Sequence, residues 1–207
     1  MFNLRRSIIL KSLQSIAVIS ILIILSGCAG TISPYNKDFV RPTQETLKLG
    51  ETTFSQVLQL YGEPKNKGTN LVNDETIHTL QYSYASITGE PLEQGILPQR
   101  IMHLSFFKDI LVGQLFTSTF KSDHSNFDET KINAIVKGKT KRSEVIQLMG
   151  KPSGFYIPPI VTASKGVGYL YTTTRIGEKP VKVYTKSLEI SFNENDVVSD
   201  IRSSWTK

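Results

Sequence analysis

Gly50-Glu-Thr-Thr-Phe-Ser-Gln-Val-Leu-Gln-Leu-Tyr-Gly-Glu-Pro64 and Gly138-Lys-Thr-Lys-Arg-Ser-Glu-Val-Ile-Gln-Leu-Met-Gly-Lys-Pro152 are two copies of one stretch. Gly50, Thr52, Ser55, Val57, Gln59, Leu60, Gly62 and Pro64 recur as Gly138, Thr140, Ser143, Val145, Gln147, Leu148, Gly150 and Pro152, an ungapped offset of 88. Such internal repetition is the first thing a fold must accommodate. The residue types predict a pair of helices in each copy. Gly50 and Gly138 suit the left-handed residue that ends a short first helix. Thr52 and Thr140 follow as N-caps of a second one. Phe54, Val57, Leu58 and Tyr61 fall at i, i+3, i+4 and i+7, one helical face, and Val145, Leu148 and Met149 continue it in the second copy. Gly62 and Gly150 stop the helix, and Pro64 and Pro152 keep it from restarting.

Outward from the repeat the pattern changes to period two. Ile77 to Tyr84 is rich in β-formers, with Tyr82 and Tyr84 on one face and Tyr169 and Tyr171 answering them. Met102, Leu104 and Phe106 alternate, as do Leu188, Ile190 and Phe192. Turns follow at Lys108-Asp109 and Glu194-Asn195-Asp196, then strands about 110–117 and 197–205. The middle strand of each copy is preceded by a longer loop carrying Gly89-Glu90-Pro91 or Gly177-Glu178-Lys179-Pro180. The expected fold class is α+β: two tandem α-α-β-β-β units, each a helix pair on a three-stranded antiparallel sheet. Residues 43–120 and 128–207 would be the two domains, joined by the polar stretch 121–127. An insertion over 155–162 contains Pro158-Pro159, which argues against a central strand.

The doubled Gly-x-Thr-x-x-x-x-Val-x-x-x-x-Gly-x-Pro motif, with Leu104-Ser105-Phe106 and Ile190-Ser191-Phe192 downstream, resembles the SmpA/OmlA (BamE-like) family of outer-membrane lipoproteins. The resemblance implies a helix pair on a small sheet and a role among envelope proteins, including those that assemble outer-membrane β-barrels. A tandem of such units also resembles the architecture of β-lactamase inhibitory proteins, secreted binders without catalysis.

The N-terminus carries its own message. Arg5, Arg6 and Lys11 precede an apolar run over 16–25, and Leu25-Ser26-Gly27-Cys28 closes it. A basic start, a short apolar stretch and small residues before a cut site make a secretory signal. The last four residues resemble the bacterial lipobox, which implies removal of 1–27 and lipidation of Cys28. Residues 28–42 would then be a tether. Three acyl chains, at about 0.8 kcal/mol per buried CH₂, would anchor the chain firmly. The lipoprotein resemblance further implies, from Ala29 where an Asp would retain the chain in the inner membrane, a place in the outer membrane facing the periplasm. Removal of 27 of the 207 residues leaves 180; the 24 basic residues become 21 against 18 acidic ones, and the formal charge falls from +6 to +3. No basic block remains to suit nucleic acid. With one Cys, no internal disulfide forms.

No catalytic set, metal-ligand spacing or phosphate-binding loop stands out, and no cofactor or small-molecule substrate is expected. His78, His103 and His124 are dispersed. Asp123-His124-Ser125 has triad residue types, but a triad is assembled in space rather than by adjacency. Gly166-Val-Gly168 lacks a dinucleotide fingerprint's third glycine. The expected function is a non-enzymatic, membrane-anchored scaffold that binds envelope proteins. The alternative is an inhibitor-like or ligand-sensing periplasmic module using the loops at 86–99 and 173–186, since loops on rigid scaffolds carry recognition.

Overall fold

The computed structural model describes residues 37–177 and 179–206. Cys28, Leu25, Ser26 and Gly27 lie outside the described residues. Eight strands run β1 (Asn66–Val72), β2 (Glu75–Ala85), β3 (Gln99–Phe107), β4 (Ile110–Ser118), β5 (Gly154–Tyr156), β6 (Lys165–Thr174), β7 (Val183–Phe192) and β8 (Val198–Thr206). They form one antiparallel sheet in sequence order, with β1 and β8 at its edges. The described helices are α1 (Phe54–Tyr61), α2 (Arg142–Met149) and a 3-10 turn, Glu129–Ala134.

This corrects the expected fold class. The chain is mostly strand, and the halves share one sheet rather than forming two α-α-β-β-β units. The SmpA/OmlA resemblance falls with it, since neither half is a helix pair on a separate three-stranded sheet. The stretch before Gly50 is a series of turns, and the one before Gly138 reaches only a 3-10 turn. Two strands escaped the pattern reading for different reasons. β1 is an edge strand exposed at six of its seven residues, so it has no apolar face to read. β5 has three residues, too few to show a period, and its pairs Leu115↔Gly154 and Gly154↔Gly168 weld the halves together.

The repeated motif has a different job from the one its residue types suggested. Thr53, not Thr52, caps α1: its hydroxyl accepts from the Gln56 amide at 3.3 Å and the Gln56 side chain accepts from the Thr53 amide at 2.8 Å. That is a capping box shifted by one residue. In α2 the cap position is Lys141, whose ammonium cannot accept, so only the return bond to Glu144 forms, at 2.7 Å. Thr52 and Thr140 instead accept from the amides of Lys48 and Val136, each at 2.8 Å, closing the preceding turn. The backbone around them clamps onto the last hairpin of each half. Gly50 N–H donates to Leu111 and Leu111 N–H to Thr52; Gly138 N–H donates to Val198 and Val198 N–H to Thr140.

Gly62 and Gly150 end the helices at φ 76°, ψ −160° and φ 83°, ψ −164°, a region closed to residues with a Cβ. Their carbonyls are held by strand tyrosines: Tyr82 Oη donates to Gly62 at 2.9 Å and Tyr169 Oη to Gly150 at 3.1 Å. Pro64 and Pro152 then turn the chain towards the sheet, and both are buried. α1 and α2 pack on the same face of the sheet. Val57, buried completely, joins Leu80, Met102, Leu104 and Phe106 in one core; Val145, equally buried, joins Val167, Tyr169, Leu188 and Ile190 in the other. The stretch 121–127 is not a loose connector either. Asp123 binds Arg100 at 2.9 Å and Ser118 at 2.6 Å, Ser125 donates to Leu170 at 2.8 Å, and Phe127 enters the second core.

Gly150→Ala should lower stability by about 1–3 kcal/mol, because alanine cannot hold that backbone angle without strain. Urea unfolding measures it, and an unchanged midpoint would contradict the glycine-only ending of α2.

Candidate functional site

Because side chains alternate across a strand, the helix-bearing face determines its opposite. On the covered side one row across the sheet reads Leu80, Leu104, Gln114, Phe155, Val167, Ile190. One residue along, on the other side, the row reads Asn66, Gln81, His103, Leu115, Gly154, Gly168, Glu189, Arg202. The next row on that side is Gly68, Thr79, Ser105, Gly113, Tyr156, Gly166, Ser191, Asp200. Among the described residues no helix packs on this side. It is a broad polar surface of hydroxyl and amide groups, with short cross-strand bonds such as Thr172 to Thr185 at 3.2 Å and Ser187 to Ser204 at 3.0 Å.

At its centre four glycines form a trough. A Cβ on Gly168 would lie 2.9 Å from the Tyr156 hydroxyl oxygen, and one on Gly113 3.1 Å from the Tyr156 ring. One on Gly166 would lie 3.0 Å from Val161. The trough is therefore filled by Tyr156 and by the loop that follows it. That loop, read as an insertion at 155–162, lies across the centre of this face and is tied to the first half by Asn73 Nδ2 donating to Pro159 O at 2.7 Å. Burial, with the Glu189 carboxylate nearby, pushes the Tyr156 phenol well above its ordinary range, so it stays protonated. A polar cavity of about 400 Å³ opens beside it, with Asn73, Glu189, Ser191, Asp200 and Arg202 on its walls.

The other candidate residues are spent on structure. His78 Nδ1 and the Thr69 hydroxyl share a 3.2 Å bond across β1 and β2. Asp123 and Ser125 serve Arg100, Ser118 and Leu170, as above, and do not meet as a triad. Gly166 and Gly168 lie inside β6 as the trough floor. The loop at 86–98 is pinned rather than presented: Leu92 N–H donates to Thr119, Leu97 N–H to Thr174, and Lys121 pairs with Glu90. The loop after β6 is more open, with Ile176 and Val181 exposed. Among the described residues no group of acidic, Cys or His side chains is placed to hold a metal ion, and no helix is long and apolar enough to cross a membrane.

The helix-free face could not be read from sequence. Each row draws one residue from each of eight strands, and the signal lies in their register. The cluster Gly154, Gly166 and Gly168 was the one visible trace, since glycine inside strands marks close approach.

No protein-family model and no curated protein matches this sequence. A solved structure of a candidate β-lactamase inhibitor protein from Streptococcus mutans is similar at a TM-score of 0.37 and 14% identity, covering 82% of this chain and 92% of that one. A likeness at that level assigns neither a shared fold nor a function.

His103 is half-buried on the helix-free face, and burial lowers its pKa below the usual 6.5. The folded state thus binds its proton less readily than the unfolded one. Its contribution is fully present above pH about 6.5 and lost as pH falls through the lowered folded value. His103→Gln should flatten the pH dependence of the urea midpoint in that window; an unchanged slope would show that His103 titrates as if unfolded.

Proposed function

We propose that this chain is a non-enzymatic recognition module, lipid-anchored through Cys28 at the periplasmic side of the outer membrane, whose helix-free sheet face binds a periplasmic protein. The observation that carries this reading is the face itself. A sheet that packs helices on one side must leave the other to solvent or to a partner. Here that side presents polar side chains such as Gln81, Thr79, Thr172, Ser187 and Arg202 on either side of the loop that lies across its centre, on a backbone fixed by seven strand pairings. A rigid surface loses little conformational freedom when it is covered, which favours binding. The anchor is supported by the basic, apolar and small-residue order that ends at Cys28. Its role is to concentrate the module at one membrane and so raise its effective concentration towards partners there.

The role is inhibitor-like, in that the face and the loop across its centre act together as a docking surface and no side-chain set on it prepares a reaction. A scaffold of the barrel-assembly kind has no support left once the SmpA/OmlA resemblance is withdrawn.

Cross-linking in living cells tests this. A protein captured with the natural chain should be lost when Gln81 and Thr172 are both changed to Arg, and retained when exposed Glu51 on the helix side is changed to Arg. Capture that survives the first pair refutes the face as the binding surface. Cys28→Ala should release the chain from the membrane fraction; continued membrane association would refute the anchor.

A further inference from the structure

The direction of the strands sorts the connections into two ends. Each strand is antiparallel to its neighbour, so β2, β4, β6 and β8 all finish at the same end of the sheet. That end carries the two long loops, 86–98 and 175–182; the other carries the tight turns after β1, β3 and β7 and the 157–164 loop. The two long loops touch. Leu97 N–H donates to the Thr174 carbonyl at 2.9 Å, and Ile176 N–H to the Gly95 carbonyl at 2.8 Å. The chain also enters from the N-terminal side at this end. Asp38 pairs with Arg100, the second residue of β3, and Phe39 packs edge-on against Phe116, near the end of β4.

The two ends differ in chemistry. At the loop end Ile87 is 89% exposed; Ile176 and Val181 are exposed in the second loop, and Val183 at the start of β7 continues them. Aliphatic groups gathered in this way mark a surface that something covers. The second loop is also basic, with Arg175, Lys179 and Lys182 against Glu178. In the first loop Glu90 is neutralised by Lys121 at 2.6 Å, which leaves Glu93 as its other acid. The turn end is acidic. Asp74, Asp109 and Glu194 stand exposed there, Asp196 is shared by Arg142 and Lys165, and Lys108 lies over the Phe107 ring, 4.8 Å from its centroid. Positive charge and bare aliphatic surface therefore gather at one end of the strands and negative charge at the other.

We propose that the loop end is a membrane-docking surface: the 175–182 loop, together with Ile87, rests in the headgroup layer of an anionic phospholipid surface, and the strands stand up from it. This rests on the Cys28 anchor proposed above. Lys37 follows Cys28 by nine positions, a reach of at most about 30 Å. Strands of nine to eleven residues, such as β3 and β2, are about as long. A tether leaving from the loop end would have to be almost fully stretched to bring the acidic turns to the lipid instead. At the headgroup boundary, burial of aliphatic groups and attraction of Lys and Arg to anionic lipid act together. An upright sheet also keeps the helix-free face clear of the bilayer and turned sideways, where a periplasmic partner reaches it.

The chain has one cysteine, Cys28, and acylation blocks it, so a cysteine placed elsewhere takes a thiol-reactive dye alone. Lipidated protein carrying Val181→Cys or Glu194→Cys, labelled with a polarity-sensitive dye, is reconstituted into vesicles of phosphatidylcholine with and without phosphatidylglycerol. Emission from position 181 should shift to the blue and be quenched by brominated acyl chains, more strongly with phosphatidylglycerol present. Emission from position 194 should do neither. Lys179→Glu should lower the docked-to-free ratio read at 181 about fivefold, the scale of one basic contact with anionic lipid, while the protein still floats with the vesicles. In protein that floats, equal quenching at both positions, none at 181, or no effect of Lys179→Glu overturns the docking and leaves the anchor standing. Protein that does not float overturns the anchor and the docking together. Shielding of position 181 in isolated outer membranes but not in the vesicles assigns the loop to a protein neighbour and overturns the docking as well.

Discussion

The close approach at Gly154 is the constraint on which the rest depends. A Cβ there would lie 2.5 Å from the Gln114 carbonyl oxygen, a backbone atom that cannot move aside without breaking the ladder. Only glycine lets β5 lie between β4 and β6 at this register. Through that three-residue strand the two four-stranded halves become one surface. The helices, the clamps at Gly50 and Gly138 and the tyrosine bonds to Gly62 and Gly150 would serve equally well in two separate sheets. It is the junction that lets a row of side chains run from Asn66 to Arg202.

The energetic division follows. Each half buries its own apolar cluster under its own helix, and these clusters supply most of the drive to fold. Between the halves the contacts are mainly polar and directional: Ser125 binds the Leu170 carbonyl, Phe116 N–H donates to the Ser153 carbonyl at 2.8 Å, Arg41 reaches the Pro152 carbonyl at 3.2 Å, and the 86–98 loop pairs with the end of β6. Hydrogen bonds of this kind contribute modestly to net stability but are costly to leave unmade. They set how the halves meet rather than whether each one folds.

The repeat, the two helices and the strands β2, β3, β6 and β7 were legible because each carries a local signal: an apolar stripe, a positive-φ glycine or alternation. Local signals could not tell how many strands belong to one sheet. β1 has no buried face, β5 has no length, and the decision to merge the halves resides in Gly154 meeting Gln114, residues 40 positions apart. The Thr52 and Thr140 positions show the same limit in miniature. Threonine before a helix reads as a cap, yet the next residue takes the cap position, Thr53 with a side-chain cap and Lys141 without one, because the Gly-x-Thr backbone is already engaged with a hairpin in the distant strand pair. Of the candidate sites, the glycines were visible but their purpose was not.

An open sheet keeps two border strands, and each border is an invitation for another strand to stack. β1 answers with Asn66, Lys67, Gly68, Thr69 and Asn70, side chains that favour water on both sides and give an incoming strand little to pack against. β8 carries Arg202, Ser203 and Ser204 along its exposed length. The polar rims therefore work as terminators, keeping the sheet from growing edge to edge with copies of itself.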